Sequence, residues 1–267
     1  MDTGIFRHMD FDTRIAGFAD FVGRKKYLYD DNGHGTHVAG IIAGSGKGSN
    51  GKYRGIAPDT FLVSVKVLDK SGNGKIENVV EAAGWIIENK SAMNIRVVNI
   101  SFGTRAKMEN GPAIETGEDD YALIMAVEKM WDSGIVVVAA AGNNGPGNAS
   151  VTAPGISKKI ITVGAFDDKN FFSGRGPTRE CIVKPEVVVT GSNIIACNNH
   201  QGRYSSKSGT SMAAPVVSGA VARLIKNNPD ITPKEVKIWM KSCCKKINVP
   251  SEKQGWGVLD IRKFVTG

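Results

Sequence analysis

Three short segments combine a reactive side chain with glycine and other small residues. His34 lies between two glycines, Ser211 lies in Gly209-Thr210-Ser211-Met212-Ala213-Ala214-Pro215, and Asp2 directly precedes turn-forming residues. A serine hydroxyl is a weak nucleophile until a base takes its proton, and histidine is the usual base at neutral pH. The imidazole in turn needs a carboxylate that fixes its tautomer and stabilises the imidazolium. Asp2, His34 and Ser211 are therefore a chemically complete set for nucleophilic catalysis.

The surroundings of Ser211 are unusual for a plain helix. A helix is predicted near 211–227, so the backbone N–H of Ser211 lacks an intrahelical partner and points where negative charge is favoured. Pro215 has no N–H and leaves a carbonyl near Ser211 without its helical hydrogen bond. Such an irregularity is more expected at a functional site than in an ordinary helix. A simple N-terminal helix cap is the structural alternative for Ser211.

The order Asp2, His34, Ser211 along the chain is the subtilisin order, which differs from that of chymotrypsin and of the α/β-hydrolases. The segments 34–40 (HGTHVAG) and 209–215 (GTSMAAP) look like the two signature segments of subtilisin-like serine proteases. Asp2-Thr3-Gly4 resembles the segment of that family's catalytic aspartate, and the resemblance extends to about residue 262. The stretch 29–33 and the lack of a secretion signal look closest to bacterial intracellular-type subtilases.

The resemblance implies a serine endopeptidase with Ser211 as nucleophile, His34 as general base and Asp2 as the orienting carboxylate. The segment 139–143 resembles the family's oxyanion-hole segment, so Asn143 would donate to the oxyanion together with the Ser211 backbone N–H. An extended peptide substrate would bind as an added strand, and a pocket of small side chains would accept a large apolar P1 residue. The substrate-binding residues implied in this way are Ser101, Phe102, Gly103, Ala139, Ala140, Ala141, Gly142 and Thr152.

Apolar strand-like runs alternate with helical patterns along the chain. Strands are predicted near 61–68, 96–100, 135–141 and 160–165, and helices near 77–90, 119–133, 211–227 and 232–243. The runs at 97–100 and 135–141 hardly alternate between apolar and polar residues, which is typical of strands buried on both faces of a parallel sheet. We therefore predict an α/β fold in three layers, with a mostly parallel central sheet flanked by helices. Residues 1–267 are predicted to form a single subtilisin-like peptidase domain.

One feature departs from the family pattern. The family places a buried β-strand just before the catalytic aspartate, and this sequence has one residue there. The N-terminal strand before Asp2 is therefore predicted to be missing, which leaves backbone groups of its neighbours unpaired. An upstream segment lost from the chain, a strand from another chain, and a catalytically impaired binding or regulatory module all stay open. An esterase or acyl transferase that uses the same triad is a further alternative.

Composition excludes several classes of protein. The 267 residues are 41% apolar and 22% charged, and no apolar run is long enough to span a bilayer. The net charge of +8 comes from scattered lysine and arginine residues, whereas nucleic-acid binders concentrate such charge. We therefore expect protein or peptide substrates as partners, and neither nucleic acid nor a membrane.

We expect no required cofactor and no metal at the site. The family places its strong calcium site shortly after the helix of the catalytic histidine, and the corresponding stretch, 45–54, has three cations and no carboxylate. A weak structural calcium stays open. The acidic stretch 115–120 is interpreted as a solvated loop that leads into a helix. Binding of Ca²⁺ and contact with basic substrate residues are the alternatives. His37, in a His-x-x-His pair, is interpreted as a structural hydrogen-bonding residue.

Cysteine usage bears on the cellular compartment. Cys181, Cys197, Cys243 and Cys244 have no metal-ligand spacing and are interpreted as free thiols, with a Cys181–Cys197 bridge as the alternative. Together with the missing signal peptide this favours the cytoplasm, and a secreted mature form stays open. The segment 104–120 looks long beside the simplest family members and is expected near the substrate groove.

Overall fold

The computed structural model describes residues 1–104 and 117–266. In chain order its strands are β1 (Ile15–Asp20), β2 (Leu62–Lys66), β3 (Val97–Ile100), β4 (Val136–Ala140), β5 (Ile161–Ala165), β6 (Val187–Val189), β7 (Ile194–Cys197), β8 (Tyr204–Lys207), β9 (Cys244–Lys245) and β10 (Val258–Leu259). Its α-helices are α1 (His34–Ala43), α2 (Ile76–Asn89), α3 (Glu118–Asp132), α4 (Thr210–Asn227), α5 (Pro233–Ser242), α6 (Ser251–Gln254) and α7 (Ile261–Thr266). Every strand and helix named in the sequence prediction is present, with bounds that differ by at most two residues.

The main sheet is mostly parallel, as predicted. Its six strands run in the order β3-β4-β5-β6-β10-β9, and β9 alone is antiparallel to its neighbour. β1 and β2 form a separate parallel pair, and β7 and β8 form an antiparallel pair. Because each residue of β4 and β5 is buried, these strands carry no alternation between apolar and polar side chains.

Helices cover both faces of the sheet, which makes the three predicted layers. α2 and α3 pack on one face through a cluster that includes Val79, Ile86, Leu123, Val127 and Met130. α1 and α4 pack on the other face, where the buried residues of α4 include Val217, Ala220 and Val221. None of the described helices is long and apolar enough to cross a membrane.

The sheet is interrupted between β2 and β3. Each is the end strand of its own sheet, and among the described residues no strand lies between them. The first two residues bridge the interval at one end. The backbone N–H of Asp2 donates to the Val65 carbonyl at 3.0 Å, and the Met1 α-amino group donates to the Asn99 carbonyl at 3.0 Å. The break lies where a strand leading into Asp2 was predicted to be missing.

Helix α1 packs against the backbone that carries Asp2, and this close approach requires glycine. A Cβ atom on Gly35, the second residue of α1, would lie 2.2 Å from the carbonyl oxygen of Gly4. Neither backbone can move without displacing Asp2 or His34. The contact therefore sets the distance between the segment of the carboxylate and the helix of the imidazole.

Substituting Gly35 tests this contact against a matched glycine of another helix. Gly35→Ala should destabilise the protein by about 1–3 kcal/mol, because the new methyl group meets backbone atoms. Gly84→Ala in α2, where a Cβ would meet nothing within 4 Å, should stabilise it by about 1 kcal/mol through helix propensity. Urea unfolding of both variants measures the difference, and equal effects would contradict the close packing.

Candidate active site

The candidate catalytic residues lie at the carboxyl ends of strands and at helix starts. Ser101 directly follows β3, and Asn143 follows β4 by three residues. His34 is the first residue of α1, and Ser211 is the second residue of α4. Loops at the carboxyl ends of parallel strands are where α/β folds place their sites, so the topology gathers these residues at one edge of the sheet.

Asp2 and His34 are in direct contact. The His34 Nδ1 atom lies 2.7 Å from Asp2 Oδ1, and the backbone N–H of Thr3 donates to the same oxygen at 2.7 Å. A carboxylate accepts hydrogen bonds, so Nδ1 carries the proton and Nε2 is left as the free base. The Asp2 carboxylate therefore holds the His34 ring by its Nδ1 edge.

The pKa values of the pair move apart. Burial alone would raise the pKa of Asp2, but the charge and hydrogen bond of His34 and the Thr3 N–H outweigh it and lower that pKa. Burial alone would lower the pKa of His34, but the charge and hydrogen bond of Asp2 outweigh it and raise that pKa above its ordinary value. Each partner therefore favours the charged form of the other.

Asp30 connects the two catalytic segments, a role that the sequence analysis did not assign. Its Oδ1 accepts hydrogen bonds from the Thr3 hydroxyl and the Gly33 N–H, both at 2.8 Å. Its Oδ2 accepts from the Thr36 N–H at 2.8 Å and the Thr36 hydroxyl at 2.6 Å. Asp30 thus ties the residue after Asp2 to the start of α1. An aspartate four residues before the first residue of a helix is the sequence signal that could have indicated hydrogen bonds to the free N–H groups of the first turn.

Lys66 is a second residue that the sequence analysis missed. It is fully buried at the end of β2, and its Nζ donates to the Leu68 carbonyl at 2.8 Å and to Asp31 at 2.7 Å. Nζ also donates to the Thr3 carbonyl. A lysine inside a β-branched run is the only sequence signal, and it does not reveal these partners. Lys66 thus fixes the Thr3 carbonyl, next to Asp2, from the end of β2.

Ser211 is held by the strand segment expected to bind substrate. Its hydroxyl donates to the Ser101 carbonyl at 2.9 Å, and the Ser101 hydroxyl donates to the Ser211 carbonyl at 2.9 Å. Pro215 cannot donate to that carbonyl, which is the predicted irregularity, and Ser101 supplies the missing donor. Asn99 extends the network, since it donates to the Ser101 hydroxyl at 2.9 Å and accepts from Ser218 at 2.8 Å.

Asn143 is oriented so that its amide N–H₂ group is available. Its Oδ1 accepts from the Thr210 backbone N–H at 3.0 Å and from the Thr210 hydroxyl at 3.1 Å. With both donors on the oxygen, Nδ2 keeps its own N–H groups for another acceptor. Asn143 is exposed, and Ser211, which follows its partner Thr210 in the first turn of α4, has an N–H without an intrahelical partner. Both groups are therefore donors without a recorded acceptor in the described part of the chain.

Thr152 lies between two of the expected pocket residues. A Cβ on Gly103 would lie 2.3 Å from the Thr152 Oγ1, and a Cβ on Gly142 would lie 2.6 Å from it. The Thr152 N–H also donates to the Ala141 carbonyl at 3.2 Å. Ala139 and Ala140 are buried within β4, and Phe102 is half-buried. The Thr152 side chain therefore packs directly against both glycines, and neither position has room for a Cβ.

His37 has the structural role that was predicted for it. Its Nε2 lies 2.9 Å from the Ser205 carbonyl and 3.2 Å from the Ile194 carbonyl, so this nitrogen carries a proton shared between two acceptors. Burial lowers the pKa of His37 to about 4, which keeps the ring neutral near pH 7. The residue joins α1 to the β7–β8 pair.

One cluster in the described part of the chain has metal-ligand geometry. The possible ligand atoms of His8, Asp10 and Cys197 lie within 4.8 Å of one another, and all three residues are buried. Burial raises the pKa of the Cys197 thiol, which stays protonated and donates to Asp10 at 3.5 Å. A zinc ligand would have to be a thiolate. The donor set therefore fits a hydrogen-bonded core better than a metal site.

The stretch 45–54 supplies N–H groups where a calcium site would need oxygen ligands. Gly46 and Gly48 donate their backbone N–H groups to Asp10 at 3.1 and 2.8 Å, and the Tyr204 hydroxyl donates to it at 3.0 Å. Ca²⁺ takes six to eight oxygen ligands, and Asp10 already accepts donors on both of its oxygens. The geometry at this loop thus agrees with the absence of carboxylates in its sequence.

The remaining sequence predictions have mixed outcomes. All four cysteines are free, which confirms the first interpretation and not the Cys181–Cys197 bridge. The cytoplasmic location stays a prediction. Helix α3 begins with Glu118, Asp119 and Asp120 in its first turn, as the helix interpretation of the acidic stretch requires. Residues 105–116, which include most of the long segment and the start of that stretch, lie outside the described residues.

The raised pKa of His34 predicts how activity at this site depends on pH. A general base must be neutral, so kcat/KM should fall as pH drops through a midpoint above 6.5, the ordinary imidazole value. Asp2→Asn removes the charge that raises the pKa, and burial then moves the midpoint down while kcat falls by about 10⁴-fold. The exposed Asp132→Asn is the control. A midpoint that does not move in Asp2→Asn would contradict the assignment.

The chain is similar to known proteins in its sequence and in its fold. The sequence model of the subtilase family matches residues 1–257. Serine protease AprX of Bacillus subtilis (strain 168) is 41% identical over 269 residues, covering 91% of this chain and 59% of its own length. Subtilisin DY of Bacillus licheniformis is 35% identical over 240 residues, covering 89% of this chain and 79% of its own length. The chain thus spans about three fifths of AprX.

Two solved structures have folds similar to that of this chain. Sphericase has a TM-score of 0.82 at 26% sequence identity, and the match covers 97% of this chain and 89% of that one. A cold adapted subtilisin-like serine proteinase has a TM-score of 0.77 at 31% identity, and the match covers 97% and 84%.

Proposed function

The chain belongs to the subtilase family, and we propose that it is a serine endopeptidase that hydrolyses peptide bonds through an acyl-enzyme on Ser211. The observation that carries the proposal is the 2.7 Å contact between His34 Nδ1 and Asp2. It leaves Nε2 free to take a proton, which is the condition for activating a serine hydroxyl. Residues 1–267 are proposed to act as one peptidase domain.

In the proposed reaction Ser211 leaves its hydrogen bond to the Ser101 carbonyl and presents its hydroxyl to His34 Nε2. The oxygen attacks the peptide carbonyl carbon while its proton moves to Nε2. The tetrahedral oxyanion accepts hydrogen bonds from Asn143 Nδ2 and the Ser211 N–H. His34 then gives its proton to the leaving amine as the C–N bond breaks. Water then gives a proton to His34 and attacks the acyl carbon, the ester bond to the Ser211 oxygen breaks, and His34 returns the proton to that oxygen.

We propose that protein or peptide substrates bind as an added strand along Ser101–Gly103. Gly103 and Gly142 would form small walls of the P1 pocket, and Thr152, which packs against both, would form its base. Small walls accept a large apolar side chain and offer no charge to pair with an ionised one. We therefore propose an apolar P1 residue, with the depth of the pocket set by Thr152.

One observation favours a second candidate, a binding or regulatory module without activity. The break between β2 and β3 lies next to Asp2, whose backbone pairs with Val65 and Val67 on one side and, among the described residues, with no strand on the other. A catalytic group must be held within about 0.5 Å of its productive geometry. Too loose an Asp2 would leave a folded but inactive site.

A fluorophosphonate probe, which reacts with activated serines, distinguishes the two candidates. The wild type should be labelled and Ser211→Ala should not, while Ser242→Ala, at the exposed end of α5, should react like the wild type. Labelling that Ser211→Ala retains would remove Ser211 from the mechanism. A folded wild type that does not react would favour the module. Rates on matched ester and peptide substrates then separate an esterase from a peptidase.

Substitution of Thr152 tests the proposed pocket. The wild type should cleave after large apolar residues faster than after charged ones. Thr152→Gly deepens the pocket, so the ratio of kcat/KM for phenylalanine over leucine at P1 should rise about tenfold. Thr190→Gly, which follows β6, should leave the ratio unchanged. A ratio unaffected by Thr152→Gly would place the P1 side chain elsewhere.

A further inference from the structure

Lys207, the last residue of β8, is half-buried, and its side chain makes no ion pair or hydrogen bond among the described residues. The other buried or half-buried lysines in residues 1–104 and 117–266 all have acceptors. Lys66 donates to Asp31, Lys184 and Lys237 to Glu186, Lys253 to Asp168, and Lys90 to the Ser133 carbonyl. An ammonium group that is partly withdrawn from water without a partner costs free energy. An acceptor from outside the chain would remove this cost.

The fold places Lys207 beside His34 through a second histidine, His37. The His37 Nε2 atom lies 3.2 Å from the carbonyl of Ile194, and Ile194 is the partner of Lys207 in the β7–β8 ladder. The same nitrogen lies 2.9 Å from the carbonyl of Ser205, two residues before Lys207. Because His34 and His37 are three residues apart in α1, they are neighbours on the surface of that helix. Strand β8 therefore ends on the His34 side of the candidate site.

The charge of Lys207 acts on both imidazole rings. Burial is the main cause that lowers the pKa of His37, and the Lys207 charge lowers it further. At His34, burial and the Lys207 charge both oppose the rise in pKa that Asp2 causes. In the proposed reaction His34 becomes an imidazolium, and a fixed cation nearby destabilises that state. A carboxylate that pairs with Lys207 would reduce this repulsion in the step in which His34 is charged.

The proposed reaction also indicates which part of the substrate lies near Lys207. The part before the scissile bond is assigned to Ser101–Gly103, where the Ser101 carbonyl accepts the Ser211 hydroxyl at 2.9 Å. The leaving amine must lie at His34, because this residue gives it a proton. Lys207 is linked to His34 through α1, so it lies on the side of the residues that follow the scissile bond.

We propose that Lys207 is a specificity-determining residue, which pairs with a carboxylate side chain at the first or second residue after the scissile bond and so favours substrates with aspartate or glutamate there. The inference rests on the proposed function, because it concerns the substrate of the same site. The net charge of +8 attracts anionic substrates at longer range whichever residue occupies position 207. A test of Lys207 must therefore keep changes in net charge matched.

Peptides that differ only by glutamate or glutamine at the first or second residue after the scissile bond test the preference. The ratio of kcat/KM for glutamate over glutamine should be about three to five in the wild type, as expected for one half-exposed ion pair. Lys207→Gln should bring the ratio to about one, and Lys207→Glu should bring it below one, because the ion pair is lost or becomes a repulsion.

The exposed Lys246, directly after β9, provides the matched control. Lys246→Gln and Lys246→Glu make the same changes in net charge and should keep the wild-type ratio. Glutamate at the fourth residue before the scissile bond is the control for position, and Lys207→Gln should not change its rate relative to glutamine. A ratio that Lys207→Gln leaves unchanged, or that Lys246→Gln lowers to the same extent, would overturn the proposal.

Binding to Ser211→Ala separates this inference from the proposed activity. If the wild type cleaves the peptides, the ratios of kcat/KM decide. If it cleaves none of them, the proposed function is contradicted, and isothermal titration of Ser211→Ala with the same peptides decides about Lys207. Tighter binding of the glutamate peptide, lost when Lys207→Gln is added, would support the ion pair. Equal affinity for both peptides, or no binding of either, would overturn it.

Discussion

The hydrogen bond between His34 and Asp2 is the interaction on which the candidate site depends. Moving a carboxylate out of water costs several kcal/mol unless charged or hydrogen-bonding partners replace the solvent. Here the imidazole and the Thr3 N–H are those partners, and both contact the same oxygen at 2.7 Å. Because the two groups come from different segments, the remainder of the local structure serves to bring these segments together.

Asp30, Lys66 and Gly35 bring them together by different means. Asp30 binds the hydroxyl next to Asp2 and the N–H groups that start α1, so one carboxylate fixes two backbones. Lys66 binds the carbonyl of Thr3 from β2, and Gly35 permits contact with the carbonyl of Gly4. The Asn99–Ser101–Ser211 network also reaches the segment of Asp2, since the Asn99 carbonyl accepts a hydrogen bond from the Met1 amino group. The break in the sheet thus borders both Asp2 and the hydrogen-bond network of Ser211.

Local pattern was enough to predict a large part of this structure. The signature segments around His34 and Ser211 name the reactive groups, and the unbroken run 135–141 predicts a doubly buried strand, which is β4. Pro215 even predicts that a carbonyl near Ser211 needs another donor. These inferences succeed because each depends on residues within a few positions of one another.

Features made by distant residues could not be predicted in the same way. In the sequence, Asp30 is an ordinary loop aspartate and Lys66 is an ordinary strand lysine. Their shared partner, Thr3, contacts them only in the folded chain. β9 and β10 contain two residues each, too few for any period, and they exist because β6 offers an edge to β10. The same holds for the Ser211 carbonyl, which Pro215 leaves without a helical donor. Its donor is the Ser101 hydroxyl, which reaches it only in the folded chain.

The most direct test of the account is a ¹⁵N NMR titration of the His34 ring in the intact chain, which reports the tautomer and the pKa without reference to substrate. We predict that the neutral ring carries its proton on Nδ1, toward Asp2, and that its pKa lies above the ordinary value of 6.5. A neutral ring protonated on Nε2, or a pKa below 6.5, would show that Asp2 does not orient His34 and would contradict the account.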